Sequence, residues 1–189
     1  MRLTLKLFLA LVLFALPFSG AMADEYDDTV KIFKNAGESG NFFGNSYGYA
    51  LFPTIGKGGI GIGAAHGSGR VYEQGKYVGD TKMNQVSIGL QLGGQAYSQV
   101  VFFQDKRSFD EFTSGNFEFS ADANAVAITA GASASASTGG SSAGASGGKN
   151  DATTAGKYHK GMAVFTVAKG GLMYQAAIAG QKYKYTPKK

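Results

Sequence analysis

The chain has 189 residues, a formal net charge of +5, two histidines and no cysteine. The missing cysteines exclude disulfides and thiolate metal sites, and two histidines leave little for metal or acid–base chemistry. Charged residues are 16% of the chain, against about 25% in an ordinary globular protein, and 29 glycines are about twice the usual share, a composition of β-rich exported proteins.

Residues 1–23, MRLTLKLFLALVLFALPFSGAMA, set Arg2 and Lys6 before an apolar run from Leu7 to Leu16 and end at Ala21-Met22-Ala23. That is the layout of a cleaved secretory signal, with an apolar run too short to span a bilayer. No cysteine follows the small-x-small site, so a lipid-anchored form is not expected. The working protein is expected to be Asp24–Lys189, exported and, in a bacterium, periplasmic. Removing the signal lowers the net charge to +3, and four lysines (Lys182, Lys184, Lys188, Lys189) lie in the last eight residues. The remainder is near neutral and lacks the basic stripe of a nucleic-acid binder.

Residues 24–35, DEYDDTVKIFKN, hold Tyr26, Val30 and Phe33 at helical spacing, with acids in the first turn. The spacing predicts a short helix ending near Gly37, within a lead-in of residues 24–44. Its polar face is not basic, which favours a cap over the core and not a membrane-lying helix.

From Tyr47 the period becomes two. YGYALFPTI predicts a strand ending near Pro53, and GGIGIGAA alternates Ile60 and Ile62 with glycine. GRVYEQGKYVGD predicts a hairpin turning at Gln74-Gly75. NQVSIGLQLGGQ places Val86, Ile88, Leu90 and Leu92 on one face and Gln85, Ser87, Gly89 and Gln91 on the other. SQVVFFQ is apolar enough for a strand covered on both faces. DKRSFDEFTSG predicts the internal helix, capped by Asp105, with Phe109 and Phe112 on one face and Gly115 at its end.

NFEFS and ADANAVAITAGASASAS continue the alternation. Residues 132–157 are low-complexity Ser, Gly and Ala, too poor in apolar side chains to offset their ordering entropy, and are expected to be a mobile excursion. KGMAVFTVAKGG and LMYQAAIAGQKYKY predict a final strand pair turning at Lys169-Gly170-Gly171, with Lys182 and Lys184 facing away from Tyr183 and Tyr185. The fold class is α+β, mainly antiparallel β. It is a compact Gly-rich sheet or barrel-like core with a short N-terminal helix and one internal helix near 105–114.

Two motifs raise chemistry. Gly56 to Gly61 matches G-x-G-x-x-G, but a dinucleotide site needs a helix next, and alternating Ile and Gly follow instead. The glycines are better explained as letting sheet layers approach closely. Gly44-Asn45-Ser46-Tyr47-Gly48 matches G-x-S-x-G, and Ser46, Asp80 or Asp105, and His159 stand in a triad order. The nucleophile elbow is a strand-to-helix turn, however, whereas strand period follows Ser46. His66 and His159 are expected at a turn and a loop edge, and the acids of DEYDD lack the spacing of a calcium loop. Catalytic residues, metal ligands and cofactors are not expected.

The segments GYALFPTIGKGGIGIGAAHGSGRVY (48–72), SIGLQLGGQAYSQVVFF (87–103), FTSGNFEFSADANAVAITAG (112–131) and AVFTVAKGGLMYQAAIAGQKY (163–183) together resemble the SYLF lipid-binding domain family. The resemblance covers residues 45–185 and leaves 186–189 as a tail. It implies a non-enzymatic, β-rich domain that binds phospholipid. Some fungal members bind actin, a partner not expected for an exported chain. Two departures stand out: eukaryotic members open with a basic amphipathic helix, whereas residues 24–35 open with acids, and the 132–157 excursion is longer than in many relatives. Within such a fold the turn cations Lys57, Arg70, Lys76 and Lys169 are the expected headgroup contacts. The alternatives are a small outer-membrane β-barrel, which the alternating strands and aromatics also suit, and a serine hydrolase using Ser46.

Overall fold

The computed structural model describes residues 21–36, 38–60, 62–88, 94–120, 123, 125–128, 158–169 and 178–189. Most of the expected signal, residues 1–20, lies outside this set, as do Gly37, Leu90 and Leu92, the 132–157 segment and the Gly170-Gly171 turn. The described helices are α1 (Ala21–Asn35), α2 (Glu38–Asn45) and α3 (Lys106–Thr113). The strands are β1 (Gly48–Ile60), β2 (Ile62–Glu73), β3 (Lys76–Ile88), β4 (Gln95–Phe103), β5 (Asn116–Glu118), β6 (Val126–Ile128), β7 (Met162–Lys169) and β8 (Lys182–Pro187). They form one sheet in the order β5-β8-β3-β2-β1-β4-β7-β6. All neighbours are antiparallel except β6 and β7. The α+β, mainly antiparallel class is therefore observed.

Local chemistry explains the well-formed elements. The β2–β3 hairpin turns at Gln74 (φ 48°) and Gly75 (φ 80°), the left-handed pair whose twist matches the flanking strands. Asp105 caps α3: its carboxylate accepts from Ser108 N at 2.8 Å, and the Asp105 amide donates to Ser108 Oγ at 3.3 Å. Past the Ser114 C-cap, Gly115 adopts φ 121° and releases the chain into β5.

The sheet carries apolar layers on both faces. On one, α1 and α2 lay Tyr26, Phe33, Phe42 and Phe43 over Leu51, Val100, Phe102 and Phe165. Tyr26 and Phe33 are buried and Val30 is half-buried, so α1 is the expected cap. On the other face Phe109, Phe112, Phe119, Met162 and Tyr183 pack on Phe52, Tyr97, Val101 and Phe103. Residues Tyr97 to Phe103 of β4 are all buried, as the continuous apolar run requires. Gln99 of β4 donates to Tyr183 Oη of β8 at 2.6 Å although three strands separate them in the sheet. The sheet curls far enough for these strands to meet across its interior, which is the barrel-like core.

Three details differ from expectation. β1 does not end near Pro53. It continues to Ile60 through a register shift between Leu51 and Thr54, and a bulge there accommodates a residue with no N–H to donate. The lead-in contains α2, whose Gly- and Asn-rich sequence is a poor helix former. It is held by Phe42 and Phe43, whose rings lie 5.4 and 4.9 Å from that of Phe102, and by Ser39 Oγ donating to Phe33 O.

The alternation around Val86 is real but reversed in use. Gln85 faces inward and donates to Ala179 O at 3.0 Å, while Val86 is 74% exposed. The segment expected to return against β7, from Leu172, lies outside the described residues as far as residue 177, and its end, β8, pairs with β3 and β5. Lys182 and Lys184 do face away from the buried Tyr183, as the alternation requires.

Candidate functional site

The glycines of β1 and β2 fall into two sets. On the inward face, a Cβ on Gly69 would lie 2.6 Å from Leu51 O and 2.7 Å from the Phe52 ring, and one on Gly67 would lie 2.6 Å from Ile55 Cγ1. These positions are glycine because β1 side chains lie directly across them. On the outward face, a Cβ on Gly56 or Gly58 would meet nothing within 4 Å. Packing does not require those two.

That outward face is built in cross-strand rows, because paired residues point to the same side. One row runs Val86, Ala64, Gly58 across β3, β2 and β1. The next runs Lys182, Asn84, His66, Gly56, and the third Lys184, Lys82, Ser68, Thr54. Ile62 lies beyond the first row and is 66% exposed. His66 Nδ1 and Asn84 Oδ1 are hydrogen-bonded at 2.8 Å, which spends the histidine on the sheet surface. The α1 end stops short of this surface: Glu25 accepts from Thr54 Oγ1 at 2.8 Å, and Arg70 lies 4.2 Å from the Tyr26 ring centroid. Exposed apolar side chains therefore sit on a strip of the sheet that the described helices do not cover.

The four expected headgroup cations do not share one place. Lys57 pairs with Ala65 and Lys76 with Glu73, about 26 Å apart along β2 at about 3.3 Å per residue. Arg70 lies between Tyr26 and Tyr77, 5.0 Å from the latter. Lys169 Nζ donates to Thr54 Oγ1 at 2.6 Å and pairs with Glu25 at 3.3 Å. Arg70 and Lys169 hold α1 to the sheet, while Lys57 is half-buried and Lys76 exposed. The strip of Ile62, Ala64 and Val86, with Lys82 and Lys184, was missed. Its sequence signal was the alternation of β2, β3 and β8, which does not say which face is covered.

A second feature is a cavity of about 240 Å³ beside α3 and β7. Phe117, Phe119, Met162, Val164 and Ile178 line it, with Glu111, Ser120, His159 and Lys160 around the polar part. Lys160 Nζ donates to Ser120 Oγ at 3.4 Å, and Glu111 pairs with Arg107 at 3.3 Å.

The motifs considered for catalysis do not assemble. Ser46 follows a helix and precedes a strand, the reverse of a nucleophile elbow. Gly56 to Ile60 lie inside β1 and lead into β2, with no helix N-terminus for a pyrophosphate. Among the described residues no group of His, Asp and Glu is placed to hold a metal. Four buried polar side chains, Tyr97, Gln99, Gln181 and Tyr183, bond to one another.

Burial pushes the hydroxyls of Tyr97 and Tyr183 well above the usual tyrosine range, and those of Tyr26 and Tyr49 to about 12. They stay protonated at neutral pH and are no use as bases. Above about pH 10 unfolded tyrosines ionise while these keep their protons, so the unfolded state binds fewer protons and stability falls as pH rises. Denaturation midpoints should be flat up to about pH 9 and drop between about pH 10 and 12. Tyr49→Phe should flatten that drop, and an unchanged slope would contradict the assignment.

A family model described as the Las17-binding protein actin regulator matches residues 84–185, more than half of the chain, from the middle of β3 into β8. The chain belongs to this family, the SYLF family. It is similar as well to beta cell expansion factor A of Aeromonas veronii, 28% identical over 158 residues. The match covers 82% of this chain and 51% of that protein, so the SYLF chain spans about half the length of this curated relative.

Proposed function

We propose that this SYLF protein is a non-enzymatic, exported phospholipid-binding protein acting at a bacterial envelope membrane. Family membership supports lipid as the partner class, and the N-terminal residues 1–23 support export. The observation that carries the reading is the pair Val86 and Ile62, 74% and 66% exposed and diagonal to one another on a part of the outward sheet face that the described helices do not reach. Full burial of a valine or isoleucine side chain contributes about 1.5–3 kcal/mol. Entry of both into the acyl boundary gives a membrane contact that the folded chain alone leaves unused. Lys57 and Lys76 serve as separate headgroup contacts near opposite ends of β2.

Co-sedimentation of the purified chain with phospholipid vesicles tests this. The Ile62→Asp/Val86→Asp variant should pellet with vesicles at least roughly tenfold less than the parent, since two buried apolar side chains are lost. Its denaturation midpoint should hold, because both side chains are exposed in the fold. Undiminished binding by this variant would sink the surface reading. It would move the lipid to the 240 Å³ cavity, whose apolar lining supports acyl-chain capture as the second reading.

A further inference from the structure

The turn that leads into β7 puts a lysine where a glycine or asparagine is usual. Lys160 (φ 51°) and Gly161 (φ 82°) form a left-handed pair. His159 N donates to Met162 O at 2.8 Å and Met162 N to His159 O at 3.0 Å, closing the turn. That conformation is costly for a lysine, whose Cβ crowds the next carbonyl. The turn is fixed from its other side as well. Gln104 N donates to Gly161 O at 2.8 Å, and a Cβ on Gly161 would lie 2.7 Å from the Arg107 guanidinium and 2.9 Å from Ser108 Cβ. Pressed against the start of α3, it holds Lys160 at the 240 Å³ cavity.

The cavity is graded from apolar to polar. Phe119, Ala123, Met162, Val164 and Ile178 are buried, whereas Ser120, Lys160, Glu111 and Glu118 are exposed. Each glutamate is drawn to a cation outside the lining, Glu111 to Arg107 at 3.3 Å and Glu118 to Lys182 at 3.6 Å. Lys160 Nζ donates to Ser120 Oγ at 3.4 Å. An ammonium carries three donors and serves several acceptors at once.

Size limits the occupant. An apolar cavity of about 150 Å³ holds one benzene, and on that scale this one holds about ten heavy atoms. A two-chain phospholipid is several times larger and cannot be enclosed. We propose that the cavity binds a free small carboxylic acid, its apolar body against Phe119, Met162, Val164 and Ile178 and its carboxylate on Lys160 and Ser120. A carboxylate accepts at both oxygens, so it suits an ammonium and a hydroxyl side by side. The inference goes beyond the membrane reading and does not depend on it, since neither Ile62 nor Val86 lines the cavity.

Calorimetric titration of the purified chain with octanoate tests this. Hexanoate, two methylenes shorter, should bind about fifteenfold more weakly. Lys160→Asn should weaken octanoate binding about tenfold and leave octanol binding as in the parent. Its melting temperature should hold or rise, because asparagine accepts the left-handed conformation more readily. Ala123→Phe, which fills the cavity, should lose octanoate yet pellet with phosphatidylcholine vesicles as the parent does. The Ile62→Asp/Val86→Asp variant should bind octanoate like the parent, which separates failure of this site from failure of the membrane strip. No octanoate binding by the parent, or equal binding of hexanoate, would overturn the site. Octylamine binding as tightly as octanoate, or a Lys160→Asn variant that binds octanoate undiminished, would overturn the carboxylate assignment. Loss of vesicle binding by Ala123→Phe with an unchanged melting temperature would make the occupant the end of a membrane lipid's acyl chain, against a free acid.

Discussion

Replacing Gln181 by leucine is expected to lower stability by roughly 3–5 kcal/mol, because it strands several buried polar groups that each cost about 1–3 kcal/mol unpaired. Gln181 sits fully buried just before β8. Its amide nitrogen donates to Tyr97 Oη at 3.2 Å and to Gln99 Oε1 at 3.3 Å. Its carbonyl oxygen accepts from Gln99 at 3.1 Å and from Tyr183 Oη at 2.5 Å. Leucine keeps the volume and removes every one of these partners.

Urea denaturation should show the loss as a lower midpoint with unchanged slope. Adding Gln99→Leu, Tyr97→Phe and Tyr183→Phe should recover most of it, since an all-apolar replacement leaves nothing unpaired. A single variant within about 1 kcal/mol of the parent would mean that water reaches these groups and that the interior is open.

Phe112→Ala should cost about 3–5 kcal/mol, the range for truncating a buried phenylalanine without collapse of the space. Its ring is fully buried, with ring centroids 4.9 Å from Phe103, 5.0 Å from Tyr183 and 5.4 Å from Phe117. It therefore ties α3 at once to β4, β8 and β5. The helix's ion pairs cannot substitute: Lys106–Asp110 and Arg107–Glu111 lie on the solvent side of α3, where such pairs contribute little. The melting temperature should fall by about 10 °C for a chain of this size. A drop of only a degree or two would show that α3 rests on the sheet without supporting it.

These two residues mark how far the sequence reaches. Phe112 is legible: its spacing from Phe109, the Asp105 cap and the terminal Gly115 specify a helix and its buried face from the order of residues alone. The reason is that capping and helical periodicity are local, satisfied within a few residues of chain. Gln181 is not legible. It stands in a polar-looking run, QKYKY, and is buried only because β8 comes across the interior to face β4, a pairing that depends on how far the whole sheet curls.

The same division runs through the candidate site. The alternation of β1 to β3, the turn at Gln74-Gly75 and the outward direction of Lys182 and Lys184 were all contained in the sequence, since a strand has a period of two wherever it lies. Which face of that alternation is covered was not. Gln85 inward and Val86 outward is the opposite of what hydrophobicity suggests, and only the reach of α1, ending at Thr54 and Arg70, decides it. Tertiary structure likewise decided that Arg70 and Lys169 hold a helix, because each found an aromatic ring or a carboxylate on α1. It also set Lys82 against Lys184, 102 residues apart in the chain, because strand order, and not sequence distance, determines which charges meet.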